Sequence, residues 1–358
     1  MSDNILTLHC QQRMRETAAF LRQANSYDEQ PSRIDVVESH MAFVFLTDQF
    51  AYKLKKPVKN TFLDFSTVEL RKQVCLSEVR LNRRLAHGVY LGIVPLLQNS
   101  GGQLLLGDCY DLDESANSDN VIDWLVKMRR LPAKLMLDNA IANATIDAAM
   151  IQRVGELLSE FYLHASPVEM NPSSYLQRLH AEVESNVHEL IRPRFGLSKA
   201  LVNEIAAAQT EFLAQRKQLL MRRVESGHIV DAHGDLRPEH ICLESPPSII
   251  DCLEFNRELR TLDAVSDLSF LMLECERLGA PEIGQQMRDV YSKATGDNPA
   301  EALWCFYKRH HALIRSKIAI WHLDIPDLET PQKWIDKADS YLGIVNGMLD
   351  LFAEGNSD

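Results

Sequence analysis

The sequence predicts an α+β fold in two parts, a small antiparallel-sheet part up to about residue 130 and a larger, mainly helical part after it. Three observations predict it. Before residue 130, β-branched and aromatic runs alternate with short turn signals. After it, apolar residues recur at helical spacing, with Pro and Gly between the runs. Within the helical part lies one polar, tightly turned stretch, residues 232–243, followed by Ile249-Ile250-Asp251. A chain of 358 residues that is 46% hydrophobic is long enough for two domains or one large two-lobed domain.

In order along the chain, residues 5–23 carry Leu6, Cys10, Met14, Ala18 and Leu21 at helical spacing, which predicts a helix with a packing face. Residues 25–33 are polar, contain Pro31 and read as a loop. The run 34–46 is strand-forming, and Thr47-Asp48-Gln49 turns the chain. Phe50-Ala51-Tyr52-Lys53-Leu54-Lys55-Lys56 then alternates, with Tyr52 and Leu54 on one face and Lys53 and Lys55 on the other. A loop ending in Thr67, a good N-cap, leads to a helix over 69–85 with Val74, Glu78, Leu81 and Leu85 on one face. A carboxylate on an inward face needs a partner. Lys53 or Lys55 is the natural one for Glu78, and Arg80 or Arg83 is the alternative.

Residues 92–97 and 103–106 predict a hairpin around Asn99-Ser100-Gly101-Gly102. Residues 108–120 form an acidic loop, and 121–128 a further strand that Arg129-Arg130-Leu131-Pro132 ends. Helices follow over 147–164, 173–190, 198–221, 261–278, 281–293, 299–321 and 331–352, with Pro193 and Gly196 parting the second from the third. Trp304, Trp321 and Trp334 are core residues, and Arg309-His310-His311 is structural. Residues 241–243 and 248–250 read as two short strands around Glu244-Ser245-Pro246-Pro247. Such a hairpin would set Asp235 just before its first strand and Asp251 just after its second. Two facing carboxylates suit phosphoryl transfer, one orienting the attacking hydroxyl and the other holding Mg²⁺. The plain alternative is a structural hairpin whose acids are solvated.

The net charge of −12 argues against general binding to nucleic acid or anionic membranes, and is compatible with a cationic substrate. Seven scattered cysteines without a Cys-x-x-Cys pair suggest reduced thiols. With no leader-like N-terminus and no apolar run of spanning length, a cytoplasmic protein is expected.

His233-Gly234-Asp235-Leu236-Arg237-Pro238-Glu239-His240 resembles the catalytic loop of protein kinases and aminoglycoside phosphotransferases, His-x-Asp-Leu-Lys-x-x-x-Asn. Phe50-Ala51-Tyr52-Lys53 resembles the kinase Val-Ala-Ile-Lys strand, and Asp263-x-x-x-Asp267 resembles an aminoglycoside phosphotransferase signature. Residues 51–95 and 233–271, with Met128-Arg129-Arg130-Leu131-Pro132, are similar to an uncharacterised branch of aminoglycoside phosphotransferase-like proteins. Some members of that branch carry an added P-loop ATPase domain. This sequence has no Gly-x-x-x-x-Gly-Lys-Ser/Thr segment and corresponds to the kinase-like part.

The resemblance implies a two-lobed protein kinase-like fold, with a nucleotide-binding lobe over 1–130 and a helical lobe over 131–358. It implies transfer of the γ-phosphate of ATP (or GTP) to a hydroxyl of a small molecule. Asp235 would then be the catalytic base, and Arg237 would stabilise the transferring phosphoryl group. Lys53 (or Lys55), braced by Glu78, would hold the nucleotide phosphates. Adenine would bond backbone from 126 to Met128. Asp251 would bind Mg²⁺ (or Mn²⁺). His240 stands where the family has a metal-binding Asn and would be the second ligand, although imidazole suits a hard ion less well than an amide oxygen. Asp267, with His233, would brace the loop. No Gly-rich loop precedes the lysine strand, so any phosphate cradle falls on the backbone of 47–49. Two rivals remain. One is a pseudokinase or nucleotide-sensing module, favoured by His240 and the missing glycines. The other is a metallohydrolase using His233, Asp235, His240 and Asp251 as ligands.

Overall fold

The alternation of residues 50–55 decides the layout of the first unit. The computed structural model describes residues 2–60, 62–112, 120–324 and 330–347, with side chains from residue 12 onward. After helix α1 (Ser2–Leu21), strands β1 (Asp35–Glu38), β2 (Ala42–Leu46) and β3 (Phe50–Lys55) form an antiparallel meander. The strand-forming run 34–46 is thus two strands. Ser39 parts them, its hydroxyl accepting the N–H groups of Met41 and Ala42 in a tight turn. Helix α2 (Val68–Asn82) starts at Thr67, whose hydroxyl accepts the Leu70 N–H at 3.2 Å. Strands β4 (Tyr90–Gln98), β5 (Leu104–Leu106) and β6 (Val121–Arg129) complete an antiparallel sheet in the order β1-β2-β3-β6-β4-β5.

Tyr52 and Leu54 enter one core layer with Phe43, Phe45, Leu96 and Leu125. The opposite face, through Ala51, Ile93 and Val126, packs on Cys75 and Val79 of α2. The sheet alternation therefore aims Lys53 and Lys55 at α2. At β4 the ladder shifts register between Tyr90 and Gly92, where Ile93 pairs with Tyr110.

The second unit is helical. It contains α3 (Leu137–Ala142), α4 (Ala148–His164), α5 (Pro172–Leu190), α6 (Lys199–Gln215) and α7 (Lys217–Glu225). The expected helix 198–221 is broken at Arg216, which leaves helical geometry at φ −107 and ψ 21. Strands β7 (Ile229–Asp231) and β8 (Ile241–Cys242) follow, then β9 (Ser248–Ile249), which belongs to the first unit, and helix α8 (Arg257–Arg260). Strand β10 (Thr261–Asp263) pairs with β7, so the helix expected from 261 starts later, as α9 (Ala264–Arg277). Its N-cap is Asp263, which accepts the Val265 N–H and, at 2.7 Å each, Arg223 Nε and Nη2. Helices α10 (Pro281–Thr295), α11 (Glu301–Trp321) and α12 (Pro331–Asn346) close the unit. Trp304 is buried and Trp334 stacks on His322. His310 bonds Glu182, while His311 stacks on Phe270, so both histidines are structural.

The units are Met1–Met136 with Glu244–Arg257, and Leu137–Leu243 with Glu258–Asp358. This differs from a division at residue 130, because a later segment returns to complete the first unit. Residues 113–119 of the acidic loop, the end of the last expected helix and the Cys10 side chain lie outside the described ones. No described helix is long and apolar enough to cross a membrane.

Candidate active site

Strand alternation on β3 and helical spacing on α2 bring opposite charges together inside the first unit. Lys53 Nζ lies 2.8 Å from Glu78 Oε1 and 2.5 Å from Asp251 Oδ1. Lys55 Nζ reaches the other Glu78 oxygen at 2.6 Å and also bonds Glu254. The two lysines are not equivalent. The Lys55 side chain is 1% exposed and walled in by Glu78, Glu254 and the Phe65 ring, whereas Lys53 keeps 15% exposure and faces the 40%-exposed Asp251. Of the two, Lys53 has the more open side chain.

Burial works against the Lys53 ammonium, but Asp251 and then Glu78 outweigh it and hold it well above the ordinary lysine range. Burial likewise pushes Glu78 up, and Lys53 and Lys55 overcome that and leave it below the ordinary carboxylate range. Glu254 goes the other way, raised chiefly by burial, which Lys55 only partly opposes.

Asp251 has φ +62, a left-handed conformation uncommon for a non-glycine residue. Its backbone is fixed on both sides. The Asp251 N–H donates to Tyr90 Oη at 3.1 Å, and the Cys252 N–H donates to Asn82 Oδ1 at 2.8 Å. Asn82 in turn donates to the Glu78 carbonyl, tying the turn to α2.

In the second unit, Asp267 on the first turn of α9 accepts the backbone N–H of His233 at 2.9 Å, that of Gly234 at 3.1 Å and the Tyr162 hydroxyl at 2.9 Å. The buried His233 accepts the Asp235 N–H at its Nδ1. Arg237 Nη2 lies 3.0 Å from Asp235 Oδ2 and 3.0 Å from His240 Nε2, and Nη1 lies 2.6 Å from Glu239. Because arginine can only donate, His240 Nε2 is the acceptor. Its Nδ1, 2.9 Å from the Asp235 carbonyl oxygen, is then the donor. Both ring nitrogens are thus hydrogen-bonded within the loop. Arg237 is likewise engaged within the loop, where it holds the Asp235 carboxylate.

No protein-family profile matches the chain. Uncharacterised proteins from Mycobacterium bovis and from two strains of Mycobacterium tuberculosis are each 31% identical to it over 291 residues, 80% of this chain and 54% of theirs. The chain thus spans about half the length of the curated relatives it matches. Among solved structures, the GDP and kanamycin complex of APH(2")-IIia superposes with a TM-score of 0.54 at 15% identity, covering 94% of this chain and 99% of that one. The GDP complex of wild-type aminoglycoside 2'-phosphotransferase-IIIa gives 0.53 at 16% identity, with 90% and 94% covered. A choline/ethanolamine kinase family protein from Mesorhizobium loti gives 0.50 at 12% identity, with 94% of both chains covered.

The chain has the aminoglycoside phosphotransferase-like, protein kinase-like fold.

Met128 lies inside β6, paired with Ala51 of β3 on one side and Tyr90 of β4 on the other. The register shift between Tyr90 and Gly92 falls opposite Lys127 and Met128, so the ladder is irregular at this point. The 47–49 turn is braced at its ends. Its Thr47 N–H bonds the Phe50 carbonyl, and Asp48 holds Ser32. The Ser32 bonds, the backbone one first, keep the Asp48 carboxyl below its usual range, which places a negative charge where a phosphate cradle was expected. Sequence reasoning missed Glu254, Asn82 and Tyr90. Glu254 follows Asp251 by three positions, the one local hint available.

Proposed function

We propose that this chain is a phosphotransferase that moves the γ-phosphate of ATP or GTP to a hydroxyl of a small molecule. The observation that carries the reading is Lys53, held on Glu78 with a second bond to the half-exposed Asp251. A phosphate oxygen can replace Asp251 at Lys53 while Glu78 keeps the ammonium in place. Asp251, a hard oxygen ligand, fits Mg²⁺ bound through one protein carboxylate and the nucleotide phosphates. When bound, the ion neutralises phosphate charge. Asp235 would orient the acceptor hydroxyl, Arg237 would hold that carboxylate, and Asp267 would fix the backbone of His233 and Gly234. Catalysis of this kind is mostly positioning. The acidic chain suits a small-molecule partner better than nucleic acid, and a cytoplasmic setting supplies the nucleotide.

The test is the melting temperature with ATP or GTP, each with Mg²⁺ or EDTA, followed by ADP or GDP release against a panel of hydroxyl acceptors. A metal-dependent rise that is lost in Asp251→Ala, with acceptor-dependent turnover lost in Asp235→Ala, is expected. No nucleotide shift in any condition would overturn the reading. A second reading, a nucleotide-binding module without transfer, is favoured by the commitment of both His240 nitrogens. It predicts a shift indifferent to metal and no release with any acceptor.

A further inference from the structure

Glu274, fully buried near the end of α9, is an anchor for cations. Its Oε2 takes Arg277 Nε at 2.8 Å, and its Oε1 takes Arg315 Nε at 3.1 Å and the Tyr341 hydroxyl at 2.7 Å. The Tyr341 ring lies near both guanidinium groups, with Arg277 Cζ 5.7 Å and Arg315 Cζ 5.8 Å from its centroid; Phe270 also faces Arg315. Each arginine therefore spends only its Nε on Glu274. Among the described residues, nothing accepts a hydrogen bond from the Nη atoms of either. A guanidinium fixed at Nε with its terminal pair open is suited to taking a carboxylate or phosphate in two parallel bonds.

Two further observations tie this group to the catalytic loop and to an anion. Burial works against the charge on Arg315, and Asp235 is foremost among the groups that outweigh it. Lys337 of α12 is half-buried with no ion pair among the described residues, and its ammonium is depressed by burial and then by Arg315 and Arg277. Four cations (Arg237, Arg277, Arg315 and Lys337) are thus grouped with three carboxylates (Asp235, Glu239 and Glu274), in a chain whose overall charge is −12. Three cations (Arg277, Arg315 and Lys337) around the single carboxylate of Glu274 leave an excess of positive charge, and an anionic ligand relieves it.

We propose that Arg277, Arg315 and Lys337 form the acceptor subsite, and that the acceptor is an anionic hydroxy compound whose carboxylate or phosphate group they bind. This rests on the phosphotransferase reading and reverses the expectation of a cationic substrate.

The test is calorimetric titration of the full chain, without nucleotide or metal, with D-glycerate, glycerol 3-phosphate, glycerol and ethanolamine. At least one of the two anions is expected to bind tenfold or more tightly than glycerol, and the tighter one tells carboxylate from phosphate. That affinity is expected to fall tenfold or more in Arg315→Gln and in Lys337→Gln. Equal binding of anions and glycerol, a preference for ethanolamine, or unchanged anion affinity in the variants would overturn the proposal. Among the described residues Lys337 has no ion pair to lose, so Lys337→Gln decides alone if Arg315→Gln fails to fold. The nucleotide shift of Lys53→Met, measured separately, reads the phosphotransferase proposal, so either can fail without the other.

Discussion

Lys53 and Lys55 occupy the same face of one strand yet have different duties. Lys55 neutralises two buried carboxylates, so Lys55→Met leaves Glu78 and Glu254 short of a counter-charge and is expected to cost about 3–5 kcal/mol in urea unfolding. Adding Glu254→Gln should recover much of that loss. Lys53→Met, at a site with solvent access, should cost less stability but abolish the nucleotide-induced rise in melting temperature. Asp251 allows a sharper separation of fold from function. Glycine adopts its positive φ without strain, so Asp251→Gly should be no less stable than wild type while losing the metal-dependent nucleotide response. A fall of more than about 2 kcal/mol would show that Asp251 is structural. At this scale the sequence exposed the Lys–Glu pairing, because strand and helix periods fix which side chains share a face. It hid Glu254, since that contact to Lys55 joins residues 199 positions apart and no local period reports it.

Among the elements, β4 depends on one close approach. A Cβ on Gly92 would fall 2.2 Å from the Tyr110 carbonyl oxygen, which itself accepts the Ile93 N–H. Gly92→Ala is therefore expected to lower the urea midpoint, with a cost of about 2–4 kcal/mol from displaced backbone. Strands β3 and β6 were legible from alternation. The place of β6 between β3 and β4 was not, since alternation says which face a residue takes and nothing about which strand lies beside it. The start of α9 was misplaced for a related reason. Thr261 to Asp263 satisfy the helical pattern as well as a strand, and only Arg223 and β7, both distant in sequence, choose between them.

For the molecule as a whole, buried histidine sets a pH dependence. His311 is pushed down to about 3, first by burial and then by His310, from an ordinary 6.5. Ser266, Arg315 and Asp235 also act on it. Between these values the unfolded chain takes a proton that the folded chain refuses. The stabilisation is complete above pH 6.5 and drains as pH falls toward 3, at up to about 1.4 kcal/mol per pH unit. The melting temperature should drop from pH 7 to 5, and the drop should shrink in His311→Gln.

The same scale contains the return of residues 244–257 to the first unit. A polypeptide of residues 1–136 lacks Glu254 and Asp251 and should show no cooperative melt by circular dichroism. Joining 244–257 to it through a flexible linker should restore one. This was the least legible feature, because composition marks where helices replace strands but not where a short segment goes back.

That return also constrains inheritance. A single recombination event between two diverged genes, anywhere from codon 137 to codon 243, would take the lysines of β3 with Glu78 from one parent and the remaining acids around them, Asp251 and Glu254, from the other. Progeny whose parents differ at these positions would carry mismatched charges in a buried place. Lineages of this protein should therefore exchange Lys53, Lys55, Glu78, Asp251 and Glu254 together or not at all.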